Sequence, residues 1–264
     1  MMNRRKFLTA ILALAVSALF SPANGGLLSS AVSRSLRKRM VGREATNSAS
    51  RAAVTKSTLT QAEKQALQRE LLELDRRTLA RIETKYGQYI DPARLGAAKN
   101  CKSCFLDKKQ YDEHLKRAYP ELSAKERAGI VGDYLKRPYV NHNRTDVPST
   151  LAHERLHQLS SNGRGAPFDG RFGEGITEHF ANRIYGNLGI RGIRPAYPNE
   201  RRVIQMIEAR VGEAPIARAY FRGDTRSIQQ ALDRQLGPGA FDTIIRYTER
   251  GRTDLAERVL KHGL

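Results

Sequence analysis

Two of the six histidines in the chain, His153 and His157, lie four residues apart in LAHERLHQLS, and Glu154 directly follows the first. Residues four apart share one face of a helix, so two imidazoles at this spacing can bind a single zinc ion. Glu154 would be turned about 100° from His153. It would flank the ion without binding it, where a carboxylate can act as a general base. The H-E-x-x-H pattern therefore predicts a catalytic metal site.

A catalytic zinc ion needs a third protein ligand and an open fourth position. A glycine-rich stretch follows His157, and after it comes GEGITEHFAN, in which Glu174 and Glu178 share one helix face. One of these carboxylates can bind the ion while the other accepts the free N–H of a ligand histidine. No third histidine follows at a short spacing. The predicted ligand set is therefore His, His and Glu, and the residues leave the choice of glutamate open.

HERLH followed by GEGITEHF resembles the gluzincin type of zincin metallopeptidase, over about 37 of the 264 residues. The resemblance implies that His153, His157 and Glu174 bind Zn²⁺ and that Glu178 orients a ligand histidine. It also implies that Glu154 is the general base of a zinc metallopeptidase that hydrolyses peptide bonds through a zinc-activated water. The C-terminal half, with AYFRGDTRSIQQALDRQLGPGAF, resembles uncharacterised bacterial zincin-like proteins, which adds no substrate.

Further candidates surround this motif. Zinc peptidases often stabilise the reaction oxyanion with a tyrosine or histidine, and Tyr197 is the first candidate, ahead of Tyr185 and His179. Each of the three also has a purely structural interpretation. His142 is a candidate for the wall of the cleft. In zincins an edge strand before the active-site helix binds the substrate as an added strand, and RPYVN, residues 137–141, is the expected strand.

The elements that must position these residues are mostly helical. Thr60 and Glu63 form a capping-box pattern that predicts the start of a long helix, whose charges form a solvated face and which ends near Gly87. Two helices are expected within 107–135, broken at Pro120 and capped at Ser123. We expect a mainly α (α+β), zincin-like catalytic domain with a short strand or small sheet before the active-site helix.

Helix boundaries near the motif follow from capping residues. Asp146 and Pro148 precede the H-E-x-x-H stretch as cap and first-turn residues should. Residues 136–143, KRPYVNHN, are expected to be extended. A helix over 174–186 carries the two glutamates, and another helix begins near 198 and ends at Gly212.

The N-terminus has the layout of a secretory signal peptide over residues 1–23. A basic head containing Arg4, Arg5 and Lys6 precedes a 14-residue apolar stretch and a small-residue exit at Ala23. NRRKFL also resembles a twin-arginine export signal, with an ordinary Sec signal as the alternative. Residues 24–58 then form a basic disordered linker, and residues 59–264 form the catalytic domain. The protein is thus predicted to be exported, either periplasmic or secreted.

The net charge of the chain indicates which kinds of partner it favours. The chain carries a net charge of +19 and 40% hydrophobic residues; loss of the three basic residues of the signal peptide would leave +16. Such a charge favours acidic partners, and an anionic envelope surface fits an exported protein. A nucleic-acid interpretation rests on charge alone. The predicted partner is a peptide or protein substrate. The alternative function is that of a secreted basic binding or toxin-like protein with a structural or inactive zincin site. The sequence does not define an oligomeric state.

The only two cysteines, Cys101 and Cys104, lie in NCKSCF. A C-x-x-C pair can be a redox pair, half of a zinc site or a tight disulfide. A zinc site would need further ligands, and a redox pair is typical of a βαβ context. For an exported protein a local disulfide is the expected state.

Overall fold

The computed structural model describes residues 60–128, 130, 132–134, 137–142, 147–161, 168, 170–185 and 197–264. The predicted signal peptide at 1–23, the linker at 24–58 and the cap at Asp146 lie outside the described residues. None of the helices in these described ranges is long and apolar enough to cross a membrane.

The described residues form eleven α-helices and three short strands, in line with the predicted mainly helical class. The helices are α1 Gln61–Tyr86, α2 Pro92–Asn100, α3 Lys108–Ala118, α4 Ala124–Ala128, α5 Val147–Leu159, α6 Arg171–Tyr185, α7 Pro198–Val211, α8 Glu213–Arg222, α9 Arg226–Leu236, α10 Ala240–Glu249 and α11 Thr253–His262. The strands are β1 Cys104–Leu106, β2 Gly132–Tyr134 and β3 Pro138–Asn141.

The three strands form one small mixed sheet in the order β1-β3-β2. β1 runs parallel to β3, and β2 runs antiparallel to it. The predicted sheet before the active-site helix is therefore present. However, RPYVN is not an edge strand, because β3 is hydrogen-bonded on both sides. The edge strand that packs against α5 is β2, in a segment predicted to be helical.

Local sequence signals predict several helix ends well. Thr60 caps α1, and the reciprocal bonds between Thr60 and Glu63 form the expected capping box. The hydroxyl of Ser123 accepts from the backbone N–H of Glu126 at 3.2 Å, as predicted for the start of α4. Gly212 follows the last residue of α7 with a φ of 80°, a conformation that glycine adopts without strain. These ends depend on neighbouring residues, which is why the sequence shows them.

The core has two parts. The larger part packs the apolar faces of α5 and α6 against α1 and the C-terminal helices, and includes Leu156, Phe180 and Tyr220. A smaller cluster fills the space between α1, the sheet and α5, and consists of Leu71, Phe105, Val140, Val147 and Leu151. α5 is thus enclosed by apolar contacts on two sides.

One charged residue of α1 departs from the predicted solvated face. Asp75 is only 4% exposed and lies against Arg155 of α5, which is 2% exposed. Arg155 donates to both carboxylate oxygens of Asp75, at 2.8 Å from Nε and 2.6 Å from Nη2. This bidentate ion pair fixes α5 to α1 inside the protein.

Candidate metal centre

α5 presents its histidines between two apolar packing faces. Leu156 and Leu159 pack into the larger core, while Val147 and Leu151 pack into the small cluster on the sheet. His153 and His157 lie on the remaining side of the helix, and their side chains are 12% and 17% exposed. The helical spacing thus directs both imidazoles to one partly enclosed place.

α6 brings Glu174 to the same place, and Glu249 of α10 holds the first turn of α6. The Glu249 carboxylate accepts hydrogen bonds from the backbone N–H groups of Arg171 at 3.0 Å and Phe172 at 2.9 Å. These N–H groups have no partner within the helix, and a carboxylate at a helix N-terminus is also favoured by the helix dipole. Further along α6, a Cβ at Gly175 would lie 2.9 Å from the backbone of Glu200. Glycine there allows α6 and α7 to pack closely.

Three side chains converge as the motif predicts. Nε2 of His153 lies 3.0 Å from Nε2 of His157 and 3.0 Å from Oε2 of Glu174. Nε2 of His157 lies 3.4 Å from the same Glu174 oxygen. Among the described residues, these three form the one group of histidine, cysteine and carboxylate side chains with the spacing of a metal site.

The separations of the three atoms fit a zinc ion. Zinc binds histidine nitrogen and carboxylate oxygen at about 2.0–2.2 Å in tetrahedral geometry. Two ligands of one tetrahedral ion are then about 3.3 Å apart, close to the 3.0–3.4 Å between these atoms. Two imidazoles and one carboxylate are also a donor set suited to zinc. His153, His157 and Glu174 would therefore hold the ion, and three ligands would leave one position open.

Glu178 contacts the other nitrogen of a ligand histidine. Its Oε2 lies 3.4 Å from Nδ1 of His153. An N–H on that nitrogen would fix the ring orientation and leave Nε2 as the atom that could bind a metal. Because Glu174 meets the two Nε2 atoms and Glu178 meets Nδ1, the geometry assigns the two glutamates to different roles. This is the assignment that the gluzincin resemblance implies.

The electrostatics of the site also suit a cation. Burial by itself lowers the pKa of His153, but its hydrogen bonds to Glu174 and Glu178 outweigh this and hold that pKa well above its ordinary value. Burial would raise the pKa of Glu174, yet the charges and hydrogen bonds of both histidines hold it far below the usual range. The carboxylates thus stabilise positive charge where the ligand atoms meet.

Glu154 lies beside the ligand group and faces the sheet. It is 7% exposed, and its negative charge reaches both His153 and Tyr197. A Cβ built on Gly132 of β2 would lie 2.4 Å from Oε1 of Glu154 and 2.5 Å from Cγ2 of Thr150. The edge strand therefore approaches the Glu154 carboxylate so closely that a side chain at position 132 would displace Glu154, Thr150 or the strand.

Tyr197 also lies at the site. Its ring stacks on His153, with a centroid separation of 6.2 Å and an interplanar angle of 16°. Burial and the nearby charges of Glu174, Glu154 and Glu200 raise the pKa of Tyr197 well above its ordinary value, and its hydroxyl is hydrogen-bonded to Glu174. The hydroxyl therefore keeps its proton at physiological pH and can donate a hydrogen bond.

The remaining sequence candidates make other contacts. The Tyr185 hydroxyl is hydrogen-bonded to Thr78. His179 lies 2.9 Å from Glu208, and the backbone N–H of His142 donates to the carbonyl of Leu106. The side chains of Tyr185 and His179 thus contact residues outside the candidate metal-binding group, and a role for His142 in the wall of the cleft stays a prediction.

Cys101 and Cys104 are free and partly buried in this structure. The local disulfide expected for an oxidising compartment is not formed here and stays a prediction. Cys101 follows the last residue of α2, and Cys104 is the first residue of β1.

Sequence reasoning missed two features of the site. Gly132 gave a visible signal, a glycine shortly before a predicted strand, but nothing in the sequence connects it to Glu154. The Asp75–Arg155 pair gave none, because its members are 80 residues apart and each lies in a segment rich in charge.

Comparisons with family models, curated proteins and solved structures found no match to this chain.

Proposed function

We propose that this chain is an exported zinc metallopeptidase of the gluzincin type, which hydrolyses peptide bonds in a peptide or protein substrate. The observation that carries the proposal is the convergence of His153, His157 and Glu174 within a sphere that suits one zinc ion, with Glu154 next to the group but outside it. Export, and contact with an anionic envelope surface, rest on the N-terminal sequence and the charge of +19.

A zinc ion held by the three ligands supplies Lewis-acid chemistry, because it polarises a carbonyl and lowers the pKa of a water molecule. Glu154 takes the proton from the attacking water and delivers it to the leaving amine. Its burial keeps this carboxylate out of bulk solvent. The electrostatic interactions of the carboxylate are therefore stronger than they would be in water. Tyr197 donates its hydroxyl hydrogen to the developing oxyanion.

The edge strand β2 supplies the most suitable place for an extended substrate. It is hydrogen-bonded to β3 on one side and approaches Glu154 at Gly132. A peptide added to β2 would form main-chain hydrogen bonds and lie across the base. This replaces β3 in the role that the sequence assigned to RPYVN.

Four variants test the proposal, with bound zinc and peptide cleavage measured on the same samples. Glu154→Gln removes a proton acceptor but no metal ligand, so we expect full zinc occupancy and a loss of activity of about 10³-fold or more. His157→Ala and Glu174→Ala each remove a ligand, so zinc binding itself should be lost. Glu178→Ala should lower affinity or activity by about 10–100-fold.

Exposed residues elsewhere provide matched controls. Glu121→Gln and His262→Ala repeat the same chemical changes at exposed positions and should leave both zinc occupancy and cleavage unchanged. Wild-type protein without stoichiometric zinc would refute the proposal. Stoichiometric zinc without cleavage of any peptide in a library would instead indicate the alternative, a basic binding or toxin-like protein with an inactive site.

A further inference from the structure

The loop that contains the two cysteines completes the hydrogen bonding of the buried Asp75–Arg155 pair. The backbone N–H of Ser103 donates to Asp75 at 3.0 Å, and the Ser103 hydroxyl donates to the same carboxylate at 2.9 Å. On the other side, Arg155 Nη2 donates to the carbonyl of Cys101 at 2.8 Å. Buried charges are stable only while such partners remain in place. The position of this loop is therefore tied to that of α5.

Arg155 transmits this constraint to the metal ligands because it belongs to the same helix. It directly follows Glu154 and lies between the two ligand histidines in sequence. Its Nη1 also donates to the carbonyl of Ala98 in α2 at 3.2 Å. A displacement of the loop would leave Arg155 or Asp75 with unsatisfied groups in the interior, or would draw α5 with it.

Cys104 also lines a groove on the face of the sheet that turns away from α5. Phe105 packs toward α1 and α5, so the neighbouring Cys104 lies on the opposite face, where it pairs in register with Tyr139. The groove has a volume of about 460 Å³, and its walls include Arg117 and Arg137. Both arginines are exposed, and neither forms an ion pair within the described residues.

Arg137 lines the same groove as Cys104. Its Nε donates to the hydroxyl of Tyr139 at 3.4 Å. This hydrogen bond raises the pKa of Arg137, and Cys104 and Cys101 add to the same effect. Both thiols are partly exposed. A partly exposed cysteine in a groove lined by arginines is accessible to an anionic disulfide, which the positive charge attracts.

We propose that Cys101 and Cys104 form a redox site that exchanges with anionic low-molecular-weight disulfides, and that its oxidation loosens the metal-binding helix through Asp75 and Arg155. In the reaction, one cysteine sulfur attacks the external disulfide and releases one thiol. The second cysteine then displaces the other thiol. Two cysteine thiols and one external disulfide thus give one Cys101–Cys104 disulfide and two external thiols, with protons and electrons balanced.

Oxidation loosens the helix because of the geometry that a disulfide requires. The two Cβ atoms must approach to about 3.8 Å with a dihedral angle near 90°. Only two residues separate the cysteines, so a disulfide would impose its geometry on the peptide units between them. These are the units that hold Asp75 through Ser103 and that begin at the carbonyl bound by Arg155. The redox site stands without any metal, whereas the regulation of zinc binding rests on the proposed function.

The first experiment tests the exchange reaction on the reduced full chain. Glutathione disulfide is added, and the intramolecular disulfide is measured by mass spectrometry over time. Replacing Arg117 and Arg137 together by Gln should slow the reaction at least about fivefold, because the groove loses its attraction for an anionic reagent. The neutral 2-hydroxyethyl disulfide should react equally fast with both proteins. Failure to form the Cys101–Cys104 disulfide, or equal slowing with both reagents, would overturn the redox site.

The second experiment tests transmission by hydrogen exchange in the metal-free protein. The amides of α5 should exchange about tenfold faster after oxidation. Cys101→Ser/Cys104→Ser should show no response to glutathione disulfide. Ser103→Ala removes one hydrogen bond to Asp75 without a redox change and should produce part of the increase. Unchanged α5 exchange after complete oxidation would refute transmission.

Zinc affinity separates this inference from the proposed function. Oxidation should raise the zinc dissociation constant of wild-type protein at least about tenfold, and the double serine variant should show no change. If neither state binds zinc but α5 exchange still responds, the metallopeptidase proposal fails and the redox site remains. If zinc binds equally in both states while the exchange of α5 is unchanged, the metal site stands and the coupling is refuted.

Discussion

Gly132→Ala tests whether the edge strand and Glu154, the proposed general base, are held in contact. A Cβ at this position would lie 2.4 Å from Oε1 of Glu154, 2.9 Å from its Cδ and 2.5 Å from Cγ2 of Thr150. Ordinary contact begins near 3.4 Å, so the carboxylate or the strand must move by about 1 Å. A displacement of about 1 Å at a reacting group can cost about 100-fold in rate. We therefore expect kcat/KM to fall about 100-fold, equivalent to about 2.7 kcal/mol in the barrier.

Zinc occupancy should remain complete in this variant, because the new methyl group would meet Glu154 and Thr150 and none of the three ligands. The matched control is Gly96→Ala in α2, where a Cβ has nothing within 4 Å. That change should leave activity intact and stabilise the helix by about 0.5–1 kcal/mol. The assay is peptide cleavage with zinc measured on the same preparation. If Gly132→Ala retains wild-type kcat/KM, the strand does not define the position of Glu154 and the reasoning is refuted.

Three further predictions concern single groups. Tyr197→Phe should lower kcat about 10²–10³-fold with zinc retained; a pre-steady-state assay that shows an unchanged chemical step would contradict a role for this hydroxyl at the oxyanion. Asp75→Ala leaves Arg155 buried without its partner, so chemical denaturation should show a loss of about 3–5 kcal/mol, and a loss below about 1 kcal/mol would mean that the pair is solvated. Thr60→Ala removes the cap of α1 and should cost about 1 kcal/mol by the same measurement, with no effect on cleavage.

The candidate metal ligands and the helix caps could be predicted because their determinants are local. His153 and His157 share a helix face by spacing alone, and Glu174 and Glu178 do so on the next helix. The resemblance then assigned Glu174 to the metal ion and Glu178 to the imidazole ring of a histidine. The distances in the structure agree with this assignment, because Glu174 lies by Nε2 of His153 and Glu178 lies by its Nδ1. Tyr197 was the first oxyanion candidate from its sequence position, and it stacks on His153 in the structure, whereas the hydroxyl of Tyr185 is hydrogen-bonded to Thr78.

The strand arrangement could not be predicted in the same way. β2 has three residues, too few for an alternating pattern to be visible, and a glycine at its start disfavours strand assignment. Whether β3 is central or at the edge depends on pairing with β1 and β2, which are separated from each other by more than 20 residues. Asp75 likewise looks like any other charge on a solvated helix until Arg155 and Ser103 surround it.

The Glu249 carboxylate at the start of α6 has a consequence for the order in which the protein matures. Glu174 belongs to a helix whose first free N–H groups are satisfied 77 and 78 residues further along the chain. A nascent chain that already contains all three ligands but not yet residue 249 therefore lacks a finished ligand helix. Under the proposed function, metal binding would follow the synthesis of α10. If the chain is the proposed hydrolase, its growing form would hold no active centre before synthesis has passed that helix.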